Sequence, residues 1–223
     1  MARHARLATT EAVEDYLKAL YRLSSAGEPP TVGRLATSLG VAAPSVTNML
    51  ARLVRLGLAT HPRYAGVRLT PRGRRIALEV VRHHRLWELY LSRRLGLPLD
   101  RVHAEAERLE HVMSDDLEGR LEAMLGGAVR DPHGHPIPRR GGGVAAGAEG
   151  RVLSDLAAGD RGIVARVDDR SAGRLRALAR LGLLPGVRVR MIRPGSGRTA
   201  HAILIGSRRR RVGTDLARLV RVR

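Results

Sequence analysis

The 223-residue sequence contains no cysteine. This absence excludes a disulfide scaffold, a thiolate zinc site and a cysteine nucleophile, so any metal ion must be bound by histidine and carboxylate side chains. The sequence also has no apolar run of about eighteen residues, and residues 1–7 lack the apolar core of a signal peptide. We therefore expect a cytoplasmic protein that has no membrane partner.

Lysine is almost absent, since Lys18 is the single lysine among 40 Lys and Arg residues. With 21 acidic residues, the formal net charge is +19. Such a surplus indicates an anionic partner, either nucleic acid or an acidic membrane surface. Because 43% of the residues are hydrophobic, the chain is expected to fold rather than to remain a disordered basic tail.

The charge is unevenly distributed along the chain. Residues 1–75 contain 12 basic and 4 acidic residues, residues 76–140 contain 10 and 11, and residues 141–223 contain 18 and 6. Genomic base composition can raise the arginine content of the whole chain, but it does not explain this contrast. The acidic middle segment is therefore expected to have a function of its own.

The N-terminal segment has residues that begin and end helices at the spacing of a winged helix-turn-helix. A first helix follows Thr10, Thr31 can cap a second short helix that ends at Gly40, and Pro44 suits the first turn of a third. Two short β-like runs, residues 58–61 and 67–70, follow as a wing. Two helices joined by a tight turn, with a wing after them, are typical of DNA-binding proteins.

The third helix and the wing are predicted to contact DNA. Short polar side chains at the start of a recognition helix can reach base edges, and arginines suit phosphates. The alternative is that these are ordinary solvated positions on a surface helix. The candidate residues are Pro44, Ser45, Thr47, Asn48, Arg52 and, near the tip of the wing, Arg63.

The middle segment predicts three helices, over residues 71–95, from a cap at Asp100 to Met113, and from Ser114 to about residue 125. Their apolar positions exceed what so few helices are expected to bury, which favours dimerisation. Prominent among those positions are Leu86, Leu89, Tyr90 and Leu91.

Histidine and glutamate recur on the middle helices with metal-ligand spacing. His103, Glu107, Glu110 and His111 stand at i, i+4, i+7 and i+8, and His84 and Glu88 repeat the i, i+4 spacing. Stacked carboxylates repel one another unless a cation lies between them, which indicates a metal site. The alternative is a solvated acidic face paired with arginines such as Arg108.

The last third predicts a small β-rich domain around one helix, residues 172–181, after a glycine- and alanine-rich tether at residues 139–150. Arg208 to Arg211 either contact DNA or form a solvated hairpin tip. Motifs of zinc peptidases, phosphate-binding loops and serine hydrolases are absent. No catalytic residue is therefore predicted, and the alternatives to a metal-dependent regulator are a winged-helix regulator of an organic ligand and, less favoured, a metal-dependent hydrolase.

Three stretches of the sequence resemble the iron- and manganese-dependent repressors related to the diphtheria toxin repressor. They are His103 to Asp115, the preceding His84-Arg-Leu-Trp-Glu88, and the following Asp131-Pro-His-Gly-His-Pro-Ile-Pro138. The resemblance implies a mainly α fold with a small β part. Its domains would be a winged helix-turn-helix (residues 1–75), a helical dimerisation and metal-binding domain (76–140), a linker (141–150) and an SH3-like, FeoA-like domain (151–223).

The resemblance also implies two metal sites. Asp15, Glu107, Glu110 and His111 match the primary site, and His84, Glu88 and His103 match the ancillary site. Asp15 and Glu107 replace the methionine and cysteine of iron-type members, which favours Mn²⁺ over Fe²⁺, although Zn²⁺ or Co²⁺ can bind such ligands in vitro. Lys18 stands where members with a close metal pair have a glutamate, so two separate ions are expected. The C-terminal ligands of the family match Ser171 and Arg174, for which Asp168 or Asp169 could substitute.

The function implied by the resemblance is repression of metal-uptake genes by a homodimer bound to a pseudo-palindromic double-stranded operator. Without a metal ion, the primary-site carboxylates are expected to repel one another and to leave the DNA-binding unit loosely placed. A bound ion would fix the spacing of the two recognition helices.

Overall fold

The computed structural model describes residues 9–27, 29–61, 66–144, 150–195 and 199–223. Contacts divide the chain into two compact units. Unit 1 contains Met1–His83, Glu110–Met113 and Pro138–Val144, and unit 2 contains His84–Leu109, Ser114–Ile137 and Ala145–Arg223. Among the described helices, none combines the length and the apolar character needed to span a bilayer.

The described residues form helices and strands at nearly all of the predicted places. The helices are α1 (Glu11–Ser25), α2 (Val32–Leu39), α3 (Ala43–Arg55), α4 (Pro71–Arg93), α5 (Leu99–Leu109), α6 (Asp115–Met124), α7 (Ala172–Leu181) and α8 (Thr214–Ala217). The strands are β1 (Ala59–Thr60), β2 (Arg68–Leu69), β3 (Arg151–Val152), β4 (Arg161–Val167), β5 (Arg188–Arg193), β6 (His201–Ile205), β7 (Arg208–Val212) and β8 (Val220–Val222). Two short 3₁₀ turns lie at Glu110–Val112 and Leu153–Asp155.

Unit 1 is a winged helix-turn-helix, as the sequence predicts. The Thr31 side chain accepts a hydrogen bond from the Arg34 N–H at the start of α2, and α2 ends at Gly40, whose φ of +67° is left-handed. Pro44 lies in the first turn of α3. The wing strands β1 and β2 pair in antiparallel register.

One glycine fixes how α4 packs in unit 1. A Cβ atom on Gly73 would lie 1.9 Å from the carbonyl oxygen of Leu58, so only glycine allows the helix to approach this backbone. The Thr70 hydroxyl, just before α4, donates to the carbonyl oxygen of Gly57 at 2.8 Å. These contacts hold the start of α4 against the segment that leads into the wing.

Unit 1 also includes part of the predicted tether. The Arg139 N–H donates to the Gly143 carbonyl oxygen at 2.5 Å, and Val144 packs against the core of unit 1. Residues 145–149 of the tether lie outside the described residues.

Three of the four apolar side chains singled out on α4 are buried. Leu86, Leu89 and Leu91 are at most 6% exposed within a single chain. These three leucines are therefore buried without a partner subunit, whereas Leu95 and Met124 are exposed, and dimerisation through the middle segment stays a prediction. Asp100, predicted as a cap, instead lies in the first turn of α5.

Helix α5 ends earlier than predicted. Its last residue is Leu109, and the carbonyl oxygen of Leu109 accepts a hydrogen bond from the Trp87 indole N–H at 3.2 Å. The Glu110–Val112 segment tightens into a 3₁₀ turn. Glu110 and His111 therefore do not continue the helical face that carries His103 and Glu107.

The rest of unit 2 is a six-stranded antiparallel sheet in the order β3-β8-β4-β5-β6-β7. Bulges bend β4 and β5. Residues 208–211, predicted to contact DNA or to form a solvated hairpin tip, belong to β7, which pairs with β6 along its length. Helix α7 packs against α5, where Arg176 pairs with Asp100 at 3.0 Å.

Candidate metal centres and DNA-binding surface

A first group of ligating side chains lies in unit 1, between α1 and the 3₁₀ turn. Donor atoms of Asp15, Glu110 and His111 lie within 4.8 Å of one another. His83 helps to place the turn, because its Nδ1–H donates to the Glu110 carbonyl oxygen at 3.2 Å. We call Asp15, Glu110 and His111 the first cluster.

The first cluster is tied together through His111. Its Nε2 lies 3.1 Å from Asp15 Oδ1 and 3.4 Å from Glu110 Oε1. Its Nδ1 lies 2.7 Å from Glu14 Oε2. Hydrogen bonds to Asp15 and Glu14 raise the pKa of His111 to about 10.

Two cationic groups neutralise the carboxylates of the first cluster. Besides His111, the Lys18 ammonium donates to the fully buried Glu110 carboxylate and lies 3.8 Å from Asp15 Oδ1. The expectation that these carboxylates repel one another is therefore wrong for this arrangement. Lys18 was expected only to oppose a second ion, but in the structure it is a direct partner of a predicted ligand.

Glu14 is a member of this environment that the sequence analysis did not select. It accepts a hydrogen bond from the Thr9 hydroxyl at 2.7 Å and contacts His111 with its other oxygen. An acidic residue in the first turn of a helix is explained by the helix dipole alone. The available signal was the spacing of Glu11, Glu14, Asp15 and Lys18, which places the four residues on one face of α1.

A second group of ligating side chains lies in unit 2, on α4 and α5. Glu88 Oε1 is 3.0 Å from His84 Nε2 and 3.1 Å from His103 Nδ1, and the two ring nitrogens are 3.0 Å apart. His84 and Glu88 are fully buried. We call His84, Glu88 and His103 the second cluster, and the structure brings together all three predicted members.

Imidazole groups keep the buried Glu88 ionised. Burial by itself would raise the pKa of Glu88, but the charge of His84 and the ring nitrogens of His103 and His133 hold it well below its usual range. His133 was not predicted as a ligand. Burial by itself would lower the pKa of His133, but the Glu88 carboxylate, with Asp131 and Asp169, raises it to about 9.

The β-domain contributes one carboxylate to the surroundings of the second cluster. Asp169 Oδ2 lies 3.9 Å from His103 Nδ1, whereas Asp168 pairs with Arg170 at 2.7 Å. Ser171 caps α7 by accepting from the Arg174 N–H. Of the two aspartates that the sequence left open, Asp169 therefore lies next to the predicted ligands.

Glu107 differs from its predicted partners. Its Oε1 lies 3.5 Å from His103 Nε2 and 3.8 Å from His84 Nδ1, and both histidines belong to the second cluster. The end of α5 at Leu109 explains the difference from the predicted continuous face. Glu107 stays on α5, four residues after His103, while Glu110 and His111 lie on the following turn.

The residues present suit a divalent metal ion. The first cluster offers two carboxylates and one imidazole, and Glu110 is fully buried, as expected for a ligand that must be shielded from water. In the second cluster, Glu88 Oε2 is buried and has no hydrogen-bond partner among the described residues. A buried carboxylate oxygen without a partner is costly unless a cation binds it.

The predicted DNA-contacting residues of α3 are accessible. Pro44, Ser45, Thr47, Asn48 and Arg52 are exposed, while Val46 and Leu50 point into the core. The Thr47 hydroxyl donates to the Ala43 carbonyl oxygen at 3.2 Å. Arg63 lies outside the described residues.

Comparisons with known proteins agree with this architecture. Residues 8–67 match the family described as iron dependent repressor, N-terminal DNA binding domain, and residues 70–139 match its metal binding and dimerisation domain. Over 204 residues the chain is 37% identical to the iron-dependent repressor IdeR of Mycobacterium tuberculosis, a match that covers 85% of this chain and 87% of IdeR. The chain belongs to the iron-dependent repressor family.

Other proteins match this family member over shorter parts of the chain. The diphtheria toxin repressor of Corynebacterium diphtheriae is 41% identical over 128 residues, which span 57% of each protein. The match to this relative therefore covers little more than half of its length. Residues 151–223 match the FeoA domain, which confirms the predicted small β-domain.

A solved structure confirms the fold. A structure titled manganese-dependent transcriptional repressor complex with manganese superposes with a TM-score of 0.88 at 36% identity, covering 94% of this chain and 98% of that one. The family consists of metal-dependent transcriptional repressors and not of enzymes. The hydrolase alternative is therefore wrong, and these matches give no support to a regulator of an organic ligand.

Proposed function

We propose that this chain is a homodimeric, cytoplasmic repressor of metal-uptake genes that binds a pseudo-palindromic operator when loaded with Mn²⁺, with Fe²⁺ as the second candidate. The proposed ligands of one ion are Asp15, Glu107, Glu110 and His111. Those of the other are His84, Glu88 and His103, joined by Asp169. The predicted domain boundaries and the DNA contacts of α3 and the wing belong to the same proposal.

The contact between Asp15 and His111 carries this proposal. Asp15 lies on α1, within the match to the DNA-binding domain, and His111 lies within the match to the metal-binding domain. Their side chains are 3.1 Å apart inside unit 1. Helix α1 packs on α2 and α2 on α3, so the position of Asp15 is coupled to that of the recognition helix.

The preference for Mn²⁺ rests on ligand chemistry. Asp15 and Glu110 offer carboxylate oxygens, and the sequence has no thiolate to offer. Oxygen ligands suit the hard Mn²⁺ ion, whereas softer ions prefer sulfur or several imidazoles. A structural relative at 36% identity was solved in complex with manganese, which supports the same choice.

Bound metal would supply two positive charges to the first cluster. Asp15 and His111 would then hold α1 against the 3₁₀ turn, and α1 would hold α3 in place. In a dimer, two recognition helices fixed in this way can enter successive major grooves about 34 Å apart. The exposed Leu95 and Met124 of unit 2 are candidates for the dimer contact.

The test uses DNA selected from a random pool by the full-length protein in Mn²⁺. We expect fluorescence anisotropy to show binding about 5- to 150-fold tighter in Mn²⁺ than in chelator, the usual range for one effector. Asp15→Asn should abolish this difference, and Glu11→Gln, which removes an exposed charge from the same helix, should retain it. Equal affinity of the unaltered protein in Mn²⁺ and chelator would refute the proposal.

A second experiment tests the DNA surface. Asn48→Ala should weaken binding to the selected sequence by about 1–3 kcal/mol and leave binding to random DNA almost unchanged. Arg52→Ala should weaken both and reduce the salt dependence, as expected for a phosphate contact. If Asn48→Ala weakens binding to both DNAs equally, Asn48 contacts the DNA backbone and not a base.

A further inference from the structure

A loop of unit 2 places three more ligating side chains beside the second cluster. This loop, residues 131–135, carries Asp131, His133 and His135, whose donor atoms lie within 4.8 Å of one another. Asp131 is 5% exposed and His133 is fully buried. The proposed function uses none of these three side chains.

Buried atoms without hydrogen-bond partners converge at this loop. Asp131 Oδ2, His133 Nδ1 and His135 Nδ1 are buried and have no hydrogen-bond partner among the described residues, as is also true of Glu88 Oε2. Most buried polar atoms in proteins are hydrogen-bonded, so such a concentration calls for a bound group. All four atoms are ones that bind metal ions.

The loop is built to hold its shape. Asp131 Oδ1 accepts the backbone N–H groups of His133 and His135 at 2.9 and 2.8 Å, which leaves Oδ2 to face inward. Gly134 has a φ of +91°, and a Cβ atom there would lie 2.0 Å from the Ala165 carbonyl oxygen on β4. The Val167 N–H donates to the His133 carbonyl oxygen at 2.9 Å.

The backbone also sets the proton position on His133. Its Nε2 lies 3.1 Å from the Leu99 carbonyl oxygen, which can only accept, so Nε2 carries the hydrogen. In the neutral ring, Nδ1 then presents a lone pair toward Glu88. A backbone carbonyl that fixes one ring nitrogen in this way is the usual support of a metal-binding histidine.

The distances between neighbouring donor atoms suit ligands of a common ion. His133 Nδ1 lies 3.6 Å from Glu88 Oε1, and His135 Nδ1 lies 3.3 Å from Asp131 Oδ2 and 3.7 Å from Asp169 Oδ2. Two atoms bound to one ion at about 2.0–2.2 Å lie roughly 2.8–3.6 Å apart. The observed separations are at or just beyond this range.

The loop ligands and the second cluster are too many for one ion. Together with Asp169 they offer seven protein groups, more than the six ligands of an octahedral ion. Glu88 and Asp169 lie close to both sets, and a carboxylate can bridge two ions with its two oxygens. Arg85 opposes a cation here, since its Nε lies 3.6 Å from Asp131 Oδ2.

We propose that Asp131, His133 and His135, with Glu88 and Asp169, bind a further divalent transition-metal ion next to the one assigned to the second cluster. This proposal extends the metal-dependent function proposed above. Two imidazoles favour Co²⁺, Zn²⁺ or Fe²⁺ over Mn²⁺ at this position. The competing explanation is that protonated His133 pairs with Glu88 and that no ion binds the loop.

The test measures Co²⁺ binding to the full chain by equilibrium dialysis with elemental analysis. We expect three ions per chain, with anomalous diffraction showing two of them about 3.5–4 Å apart in unit 2. His135→Gln and Asp131→Asn should each reduce the number to two or weaken one ion at least tenfold. Asp131→Asn keeps the Oδ1 acceptor that shapes the loop, so it tests the ligand without removing the turn.

Matched variants separate this proposal from the wider function. His61→Gln, which alters an exposed histidine outside both clusters, should retain three ions. Asp15→Asn should lose only the ion of the first cluster. Two ions in the unaltered protein, unchanged in number and visible spectrum by His135→Gln, would overturn the further ion and leave the proposed function intact. If the proposed function fails instead, the unaltered protein will bind DNA equally well in Mn²⁺ and in chelator.

Discussion

The two clusters neutralise their carboxylates in opposite ways. In the first cluster, the Lys18 ammonium and the His111 ring pair with Glu110 and Asp15. In the second cluster, the buried Glu88 is surrounded by histidine rings, and one of its oxygens has no hydrogen-bond partner among the described residues. In the first cluster a lysine ammonium therefore competes with a metal ion, whereas the cations that compete in the second cluster are histidine rings, which can lose their protons.

This difference suggests different roles for the two proposed ions. An ion entering the first cluster must displace the Lys18 contact with Glu110 and the proton of His111, so its binding exchanges one set of partners for another. Such an exchange is what a switch needs, because both states are then satisfied. An ion in the second cluster instead completes a set of buried donors, which suits a persistent structural role.

The largest expected effect comes from removing the internal competitor. Lys18→Met should lower the free energy of unfolding in chelator by about 3–5 kcal/mol, because the buried Glu110 carboxylate loses its partner. Saturating Mn²⁺ should restore most of this loss. Urea unfolding with and without Mn²⁺ measures both quantities. Arg55→Met, which removes an exposed cation from α3, should show neither effect. If Mn²⁺ does not reduce the loss of stability in Lys18→Met, Lys18 and the metal ion do not compete for Glu110.

The sequence predicted the elements of unit 1 because their signals are local. Thr31, Gly40 and Pro44 each act within one turn of chain. The break at Leu109 was missed because helical periodicity continues through His111, and the side chain that contacts the end of the helix is Trp87, 22 residues earlier. Glu14 was missed because a helix dipole already explained it.

Strand β7 and the choice between Asp168 and Asp169 could not be predicted because both depend on long-range contacts. Strand β7 contains four consecutive arginines and has no alternating apolar pattern, and its pairing with β6 makes it a strand. Asp169 could not be separated from Asp168 by spacing alone. The choice depends on the tertiary position of Asp169 near His103 and on the local pairing of Asp168 with Arg170.

A glycine substitution tests whether the surroundings of the second cluster are prebuilt. Gly134→Ala should lower the free energy of unfolding by about 2–4 kcal/mol, because a left-handed φ and a clash with Ala165 act together. Gly119→Ala, in a helix with open space around it, should instead raise that energy by about 0.5–1 kcal/mol. Thermal unfolding in chelator measures both. A neutral Gly134→Ala would show that the 131–135 loop is adaptable, and the contrast between the clusters would weaken.

A mutation of Glu107 tests to which of the two clusters this residue belongs. If it binds the switching ion as proposed, Glu107→Gln should weaken Mn²⁺ binding there about 10- to 100-fold and reduce Mn²⁺-dependent DNA binding to the same degree. Titration of DNA binding with Mn²⁺ measures this effect. Glu105→Gln, a change on the same helix at a residue that pairs with Arg108, is the matched control. A normal DNA response with weakened metal binding at His103 would assign Glu107 to the second cluster.

The smallest expected effect concerns a buried histidine that has no place in either cluster. His201 is 1% exposed, and its Nδ1 accepts the Gly195 N–H at 3.1 Å, so burial lowers its pKa below the usual value of 6.5. The unfolded chain then binds more protons than the folded chain, and this residue destabilises the fold as the pH falls below about 6.5. His111 and His133, whose pKa values are raised, act with the opposite sign. His201→Asn, whose side-chain oxygen can accept the same hydrogen bond, should therefore lose less stability than the unaltered protein between pH 7.5 and 5 in urea unfolding with chelator. Identical pH profiles would mean that His201 takes up a proton in the folded protein without loss of stability.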